Sequence, residues 1–299
     1  MSVIVLGTVA LDDVKTPFGS RKDMLGGSAA HFSMSARLFT RVSLVAVVGE
    51  DFPDKELRFL KSKGLDLSGL EVARGKTFHW QGEYTGSLNC AHTLNTELGV
   101  LAGFKPGICG KLRSIKYVFL ANVDPDIQRS LLRQMRTPKL VALDSMNYWI
   151  NTKRSSLLRL IKEVDIYVAN DQEALSLSCE PNLIKAARSL NRHAKAMIMI
   201  KKGEHGVLFY DVKNFFSLPA YPAEKVADPT GAGDTFAGGF MGYLAKCGKL
   251  SRSSIKEALA FGTIAASFNV EGFGLERSSR LTLREVKARL SSFRNTVIF

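Results

Sequence analysis

Cysteine is scarce in this 299-residue chain, with four residues at Cys90, Cys109, Cys179 and Cys247 and no Cys-x-x-Cys pair. That spacing excludes a zinc ribbon and a disulfide framework, and it points to a reducing, cytoplasmic setting. Long apolar runs are missing too: none approaches the roughly 20 residues of a membrane-spanning helix. The opening MSVIVLGTVALDD has no basic leader and meets acid by Asp12, so a strand is expected there rather than a secretion signal. Acid is the charge in short supply, since 28 Asp and Glu against 41 Lys and Arg leave a net +13. A surplus of that size raises nucleic acid or a membrane as partners. Apolar residues at 45% and charged residues at 23% are ordinary globular values, which argues against disorder, collagen and coiled coil.

What is present is an alternation. Val3–Leu6, Ser43–Val48, Tyr117–Leu120, Leu140–Leu143, Ile166–Val168, Met197–Ile200 and Val207–Tyr210 read as strands. Several are apolar throughout, as strands covered on both faces of a parallel sheet are. Helical stretches lie between them, at Ala29–Leu38, Asp54–Lys63, Asp126–Gln134, Ser155–Ile161, Gln172–Ser178 and Leu183–Asn191. The last third reads as successive helices over Thr235–Ala245, Ser254–Ser267 and Leu283–Leu290. The pattern predicts an α/β fold with a doubly wound, mostly parallel sheet flanked by helices.

Two stretches break the rhythm. Residues 10–25 carry Pro17 and Gly19, and residues 71–100 carry Phe78, Trp80 and Tyr84 among glycines. Both have the character of antiparallel strands and turns. They are expected to meet as a small β-sheet lid, inserted in a single domain spanning 1–299; a pair of ordinary surface hairpins is the alternative.

The segment richest in chemistry is Asp228-Pro-Thr-Gly-Ala-Gly-Asp234-Thr-Phe-Ala-Gly-Gly-Phe. Small residues at Gly231, Ala232 and Gly233 lead directly into a helix, so backbone N–H groups crowd about one point at its positive end. Such a cradle suits a phosphate. A carboxylate at its rim repels phosphate unless it has other work, such as accepting a proton from an attacking hydroxyl. Asp234 reads equally as an early-turn helix acid. Two rival phosphate motifs fail on inspection. Gly75-Lys76-Thr77 has Leu70 where a Walker loop begins with Gly, and Gly231-x-Gly233 is followed by Phe236 where a dinucleotide fingerprint has its third Gly.

The Asp228–Asp234 run resembles the C-terminal signature of the ribokinase/PfkB family of sugar and nucleoside kinases. Four more segments fall in the family's order: Gly7–Asp12, Leu25–Ala30 with its Gly26-Gly27 pair, Asn170-Asp-Gln-Glu173, and Lys201-Lys-Gly203-Glu-His-Gly206. The resemblance spans nearly the whole chain and implies a ribokinase-like fold. It implies Asp234 as general base, with the amides of Gly231, Ala232 and Gly233 receiving the charge of the transferring phosphate. Asn170 and Glu173 are implied to organise Mg²⁺ and its waters beside ATP, a role that suits an oxygen ligand. Asn at N-cap and Glu three residues on also form a capping box, and the two roles are compatible. Lys201, Gly203, Gly206 and Asp228 are implied on the nucleotide side. Asp228 and residues 270–274 are implied to hold a monovalent cation such as K⁺. Asp12, Gly26, Gly27 and Ser28 are implied to face the acceptor. A homodimer joined through the lid is implied as well.

His31 stands where ribokinase has Asn, and Ala10 where it has a polar residue, so two ribose contacts are missing. His31 is a candidate for a different acceptor contact or an ordinary helix histidine. Asn122 and Asp144 follow strand ends that face the ligand crevice of open α/β sheets, which makes Asn122 a candidate acceptor contact and Asp144 a candidate metal ligand. The expected activity is transfer of the ATP γ-phosphate to a hydroxyl of a small sugar. The alternatives are a nucleoside acceptor, or a non-catalytic sugar- or nucleotide-binding protein on the same fold. The basic surplus concentrates away from these segments. Residues 110–139 hold seven bases against two acids, and residues 275–299 hold six against two. The charge therefore no longer argues for nucleic acid; long-range attraction of ATP is its expected contribution.

Overall fold

Strands apolar at every position must be covered on both sides, and the computed structural model places them at the centre of a three-layer arrangement. It describes residues 1–86, 88–89, 91–194 and 196–297. The strands are β1 Ser2–Leu6, β2 Ala10–Thr16, β3 Gly19–Gly26, β4 Arg41–Gly49, β5 Asp66–Ala73, β6 His79–Glu83, β7 His92–Glu97, β8 Tyr117–Leu120, β9 Leu140–Asp144, β10 Ile166–Asn170, β11 Met197–Lys201, β12 Val207–Tyr210 and β13 Phe215–Leu218. The α-helices are α1 Ser28–Ala36, α2 Asp54–Ser62, α3 Pro125–Leu132, α4 Asn147–Thr152, α5 Arg154–Ile161, α6 Asp171–Ser178, α7 Leu183–Ala194, α8 Ala232–Cys247, α9 Arg252–Asn269 and α10 Leu283–Val297.

Nine strands form the large sheet in the order β13-β12-β11-β10-β9-β8-β1-β4-β5. The seven from β11 to β5 run parallel, and β12 and β13 extend one edge antiparallel. Alternate side chains feed two cores. Val3 and Val5 join the core built with α1, α8 and α9, while Ile4 and Leu6 join the core on the opposite face with α5 and α7. Burying both faces of β1 is what its unbroken apolar sequence dictates.

All seven strands and nine helices expected from the sequence are present. Three elements were not foreseen: β5 and β13, which are the two edges of the sheet, and the short α4. An edge strand is half-exposed and tolerates the Gly69 and Glu71 that disguise β5.

The second sheet has four strands in the order β3-β2-β6-β7. Residues 10–26 supply its hairpin as expected. The second expected stretch is divided: Glu71–Ala73 finishes β5 in the large sheet, and only 79–97 contributes to the small one. Phe78 packs into the large core, whereas Tyr84 joins Val14, Ala227 and Phe273 in a separate cluster between the two sheets. Cys109, Cys179 and Cys247 are free thiols; Cys90 lies outside the described residues. No helix among the described residues is long and apolar enough to cross a membrane.

Helix α8 is set unusually close to α1. A Cβ on Gly238 would fall 2.1 Å from the Phe32 carbonyl oxygen, so only glycine permits the approach. Ser35 Oγ then donates to the Thr235 carbonyl at 2.6 Å. This contact fixes the N-terminus of α8 over the C-terminal ends of the parallel strands, where the polar residues gather.

Candidate active site

Three neighbouring strands end in polar residues: β9 in Asp144, β10 in Asn170 and β11 in Lys201. Lys201 Nζ donates to Asp144 Oδ2 at 2.7 Å, with both side chains largely buried. A Cβ on Gly233 would sit 3.0 Å from that Nζ, so the ammonium lies directly against the loop that opens α8. Burial acts to lower the Lys201 pKa, but Asp144, Glu173 and Asp234 around it outweigh burial and hold it above the usual lysine value.

The carboxylates respond in the opposite sense. Burial, then Asp144, push Asp234 up to about 7, against the pull of Lys201. Glu173 is pushed up to about 8, by burial first and Asp144 second. Three acids therefore share one buried ammonium. That surplus of negative charge in a low-dielectric site fits a divalent cation with oxygen ligands. Glu173 and Asp144 are the residues that would hold Mg²⁺, directly or through water.

Glu173 also performs the capping alternative. Asn170 Oδ1 accepts from the Glu173 amide at 2.8 Å, and Glu173 Oε2 accepts from the Asn170 amide at 2.8 Å. One carboxylate oxygen remains for other work.

The chain at residues 231–233 turns directly into α8. Gly231 is left-handed, with φ 71°, and precedes the first turn of α8, which contains Asp234. Asp228 is fully buried. Its Oδ1 accepts from the Thr230 amide and its Oδ2 from the Gly274 amide, each at 2.9 Å. It thus ties the cradle loop to residues 270–274, and a monovalent cation would have to share it with those amides.

The expected acceptor residues lie inside β2 (Asp12), at the end of β3 (Gly26) and at the start of α1 (Gly27, Ser28). Asp12 is buried, accepts from the Gly27 amide at 3.2 Å, and is pushed up to about 7, by burial first, with Asp228, Asp234 and Asp13 adding to the rise. A Cβ on Gly26 would fall 1.9 Å from Asp12 Oδ2, so Gly26 makes room for the carboxylate. Ser28 is occupied by Thr8, through the Thr8 amide and hydroxyl, both at 3.1 Å. Its geometry is that of a strand-to-helix clasp. Asn122 Nδ2 meets Met146 Sδ at 3.0 Å, while its Oδ1 is buried with no hydrogen-bond partner among the described residues.

Two expected nucleotide-side glycines have local structural duties. Gly203 and Gly206 both have positive φ, 54° and 82°. Gly206 lies against the backbone of residues 218–220, where a Cβ would fall 2.1 Å from the Leu218 carbonyl oxygen.

The sequence did not single out Asn269, Thr230 or Thr16. Asn269 Nδ2 donates to the Thr230 carbonyl at 2.8 Å, and Asn269 Oδ1 meets His31 Nδ1 at 3.2 Å. A fully buried amide in the apolar run Ala265–Val270 was the available signal. Thr16 Oγ1 donates to the Ala227 carbonyl at 2.9 Å and Thr230 Oγ1 to Tyr84 OH at 3.1 Å, joining the small sheet to the cradle loop.

A glycine-rich loop opening α8 and a buried acidic pocket around Lys201 thus lie together at the sheet's C-terminal edge. The profile of the pfkB family carbohydrate kinases matches residues 11–281, and the chain belongs to that family. A cytidine kinase of Thermococcus kodakarensis is 35% identical over 274 residues, covering 87% of this chain and 96% of that one. A ribokinase of Lactococcus lactis is 26% identical over 305 residues, covering 96% of each. The crystal structure of a Methanocaldococcus jannaschii nucleoside kinase superposes with a TM-score of 0.75 at 22% identity, over 97% of this chain and 98% of that one. At that identity the structural likeness establishes the ribokinase-like fold alone.

Proposed function

We propose that this protein is an ATP-dependent nucleoside kinase. The phosphotransfer half of the reading rests on Asp234, held at the N-terminus of α8 beside the amides of residues 231–233. The observation that carries the acceptor half is the 35% identity with a cytidine kinase along nearly the full length of both chains. It moves the preference from a simple sugar, the first expectation, to a nucleoside. The missing polar side chain at Ala10 is compatible with this reading.

In this reading Asp12 accepts hydrogen bonds from paired ribose hydroxyls. Asp234, ionised, accepts the proton of the attacking hydroxyl. The oxygen forms a bond to the γ-phosphorus as the bond to the ADP oxygen breaks. The 231–233 amides and Lys201 receive the charge spread over the transferring group. Mg²⁺, when bound, neutralises phosphate charge and orients the phosphates. The small sheet excludes water, which otherwise competes as nucleophile. A homodimer through that sheet would cover Phe18 and Leu94, 64% and 62% exposed.

The test is a coupled ADP-release assay over cytidine, adenosine, inosine, ribose and fructose with Mg²⁺-ATP and K⁺, with products identified by mass spectrometry. A nucleoside is expected to give the highest kcat/KM. Preference for ribose or fructose would restore the carbohydrate reading. Nucleotide binding without turnover of any acceptor would favour the binding-protein alternative.

A further inference from the structure

The chain carries a histidine beneath its phosphate cradle. A Cβ on Gly231 would fall 2.2 Å from His31 Cγ and 2.2 Å from Nδ1, so the imidazole occupies the space directly under the Gly231 Cα. His31 is 1% exposed on α1, while Gly231 is the residue that turns the cradle loop into α8.

The hydrogen bonds fix the ring's protonation. The Thr230 carbonyl can only accept, so the Asn269 amide must face it with Nδ2, as it does at 2.8 Å. Oδ1 of Asn269 then faces His31 Nδ1 at 3.2 Å and Thr235 Oγ1 at 3.0 Å. An amide oxygen accepts only, so His31 Nδ1 carries the proton and donates. Burial, the largest influence, depresses the His31 pKa and keeps the ring neutral. One side chain, Asn269, thereby ties α1 to both sides of the cradle, at Thr230 before it and Thr235 after it.

We propose that His31, acting through Asn269, is a positioning residue that holds the amides of residues 231–233 aimed at the transferring phosphoryl group. The role differs from the acceptor contact expected at this position, and it rests on the reading of residues 231–233 as the anion cradle. The ring supplies two separable things: a floor under Gly231 and an Nδ1–H for Asn269. Removing the donor frees Asn269 to turn and releases the Thr230 carbonyl. The cradle then has more than one arrangement, and ordering it must be done in the transition state. Small misplacement of such donors costs about 10²-fold in rate.

The test uses His31→Phe, which keeps the floor and loses the donor, together with Asn269→Ala, the double variant, and Asp234→Asn. The first readout is affinity for Mg²⁺-ADP with and without aluminium fluoride, a mimic of the transferring phosphoryl group. The expected result is roughly 10–100-fold weaker binding with fluoride in His31→Phe and Asn269→Ala, and unchanged binding of ADP alone. The double variant should be no worse than the worse single, because both break one chain of contacts. With cytidine as acceptor, kcat should fall while the cytidine KM holds. Equal loss for ADP with and without fluoride, strictly additive losses, or a cytidine KM that rises at constant kcat would each overturn the proposal. If Asp234→Asn retains full turnover, the base reading fails, while this proposal is still decided by the fluoride-dependent binding of His31→Phe and Asn269→Ala. If Asp234→Asn is inactive while His31→Phe matches the parent in every readout, the positioning role alone fails.

Discussion

Lys201 Nζ bonds Asp144 Oδ2 at 2.7 Å and joins the ends of β11 and β9 across the intervening β10. The pair is more than a stabilising contact. After burial, Asp144 contributes most to the raised pKa of both Asp234 and Glu173, and Lys201 opposes it in both. Replacing Lys201 with Met removes the opposing charge and leaves Asp144 buried without its partner. The Asp234 pKa should climb further, so the acidic limb of the kcat/KM–pH profile should move to higher pH. At pH 7 activity should fall at least tenfold, more so when ATP is subsaturating. A limb that stays in place while activity falls would confine Lys201 to phosphate contact.

Asp234→Asn keeps the size and helix position of the side chain but cannot accept a proton. General-base loss costs about 10²–10⁴-fold. Turnover should drop by that amount while calorimetric ATP affinity stays near the parent value. Near-normal turnover would reduce Asp234 to an early-turn helix acid.

Glu173 has two separable duties, and Glu173→Gln divides them. The amide oxygen of Gln can still accept from the Asn170 amide, so the capping box and the unfolding temperature should hold. The Mg²⁺ requirement should rise about 10–100-fold, with partial recovery of activity at high Mg²⁺, as expected when a charged oxygen that orders the ion or its waters becomes neutral. An unchanged Mg²⁺ titration would leave only the cap.

Much of this arrangement was legible in the residues. The apolar strands announced themselves because burial on both faces leaves no polar position to disguise them, as in Ile166–Val168 at the centre of the sheet. The cradle was legible because Gly231 and Gly233 answer to local demands, a left-handed turn and a close ammonium. The edge strands β5 and β13 were not, since half-exposed strands tolerate glycine, acid and serine. Nor was the His31–Asn269 pair, separated by 238 residues and joined only by the packing of α1, α8 and α9. The separation of Asp12 and Asp234 in sequence likewise hides that Asp234 adds to the cost of ionising Asp12.

Asp12 offers a direct check on the acceptor side. Its pKa of about 7 means that half its population is protonated near neutrality. A carboxylate binds paired hydroxyls better than a carboxylic acid, by about 1 kcal/mol per hydrogen bond. Acceptor KM should therefore fall as pH rises through about 7, and Asp12→Asn should flatten that dependence while raising KM about 10–100-fold. Gly26→Ala should do likewise, because its Cβ displaces the carboxylate. A pH-independent acceptor KM in the parent would remove Asp12 from the contact.

The same shifts make a prediction about stability without ligands. Asp12 and Asp234 are raised from 3.8 to about 7, and Glu173 from 4.5 to about 8. Between pH 4 and 8 the folded protein therefore keeps protons that the unfolded chain has already released. Stability rises with pH only where the unfolded state binds more protons; here it binds fewer, so the contribution is present at low pH and fades as pH climbs through 7 and 8. Carboxylates held down by partners act oppositely at the acid end: Glu285, pulled to about 2 by Thr282 and Arg277, loses its contribution as pH drops toward 2. The unliganded protein should thus melt at its highest temperature near pH 4 and lose several degrees by pH 8, each kcal/mol being worth about 2–4 °C at sizes approaching this one. Asp234→Asn has no charge to bury, so its melting temperature should exceed the parent's at pH 8 and match it near pH 4. That crossover, read by scanning calorimetry, separates a functional acid kept at a cost to the fold from one that the fold requires. A variant that melts below the parent at pH 8 would place Asp234 among the residues the structure needs.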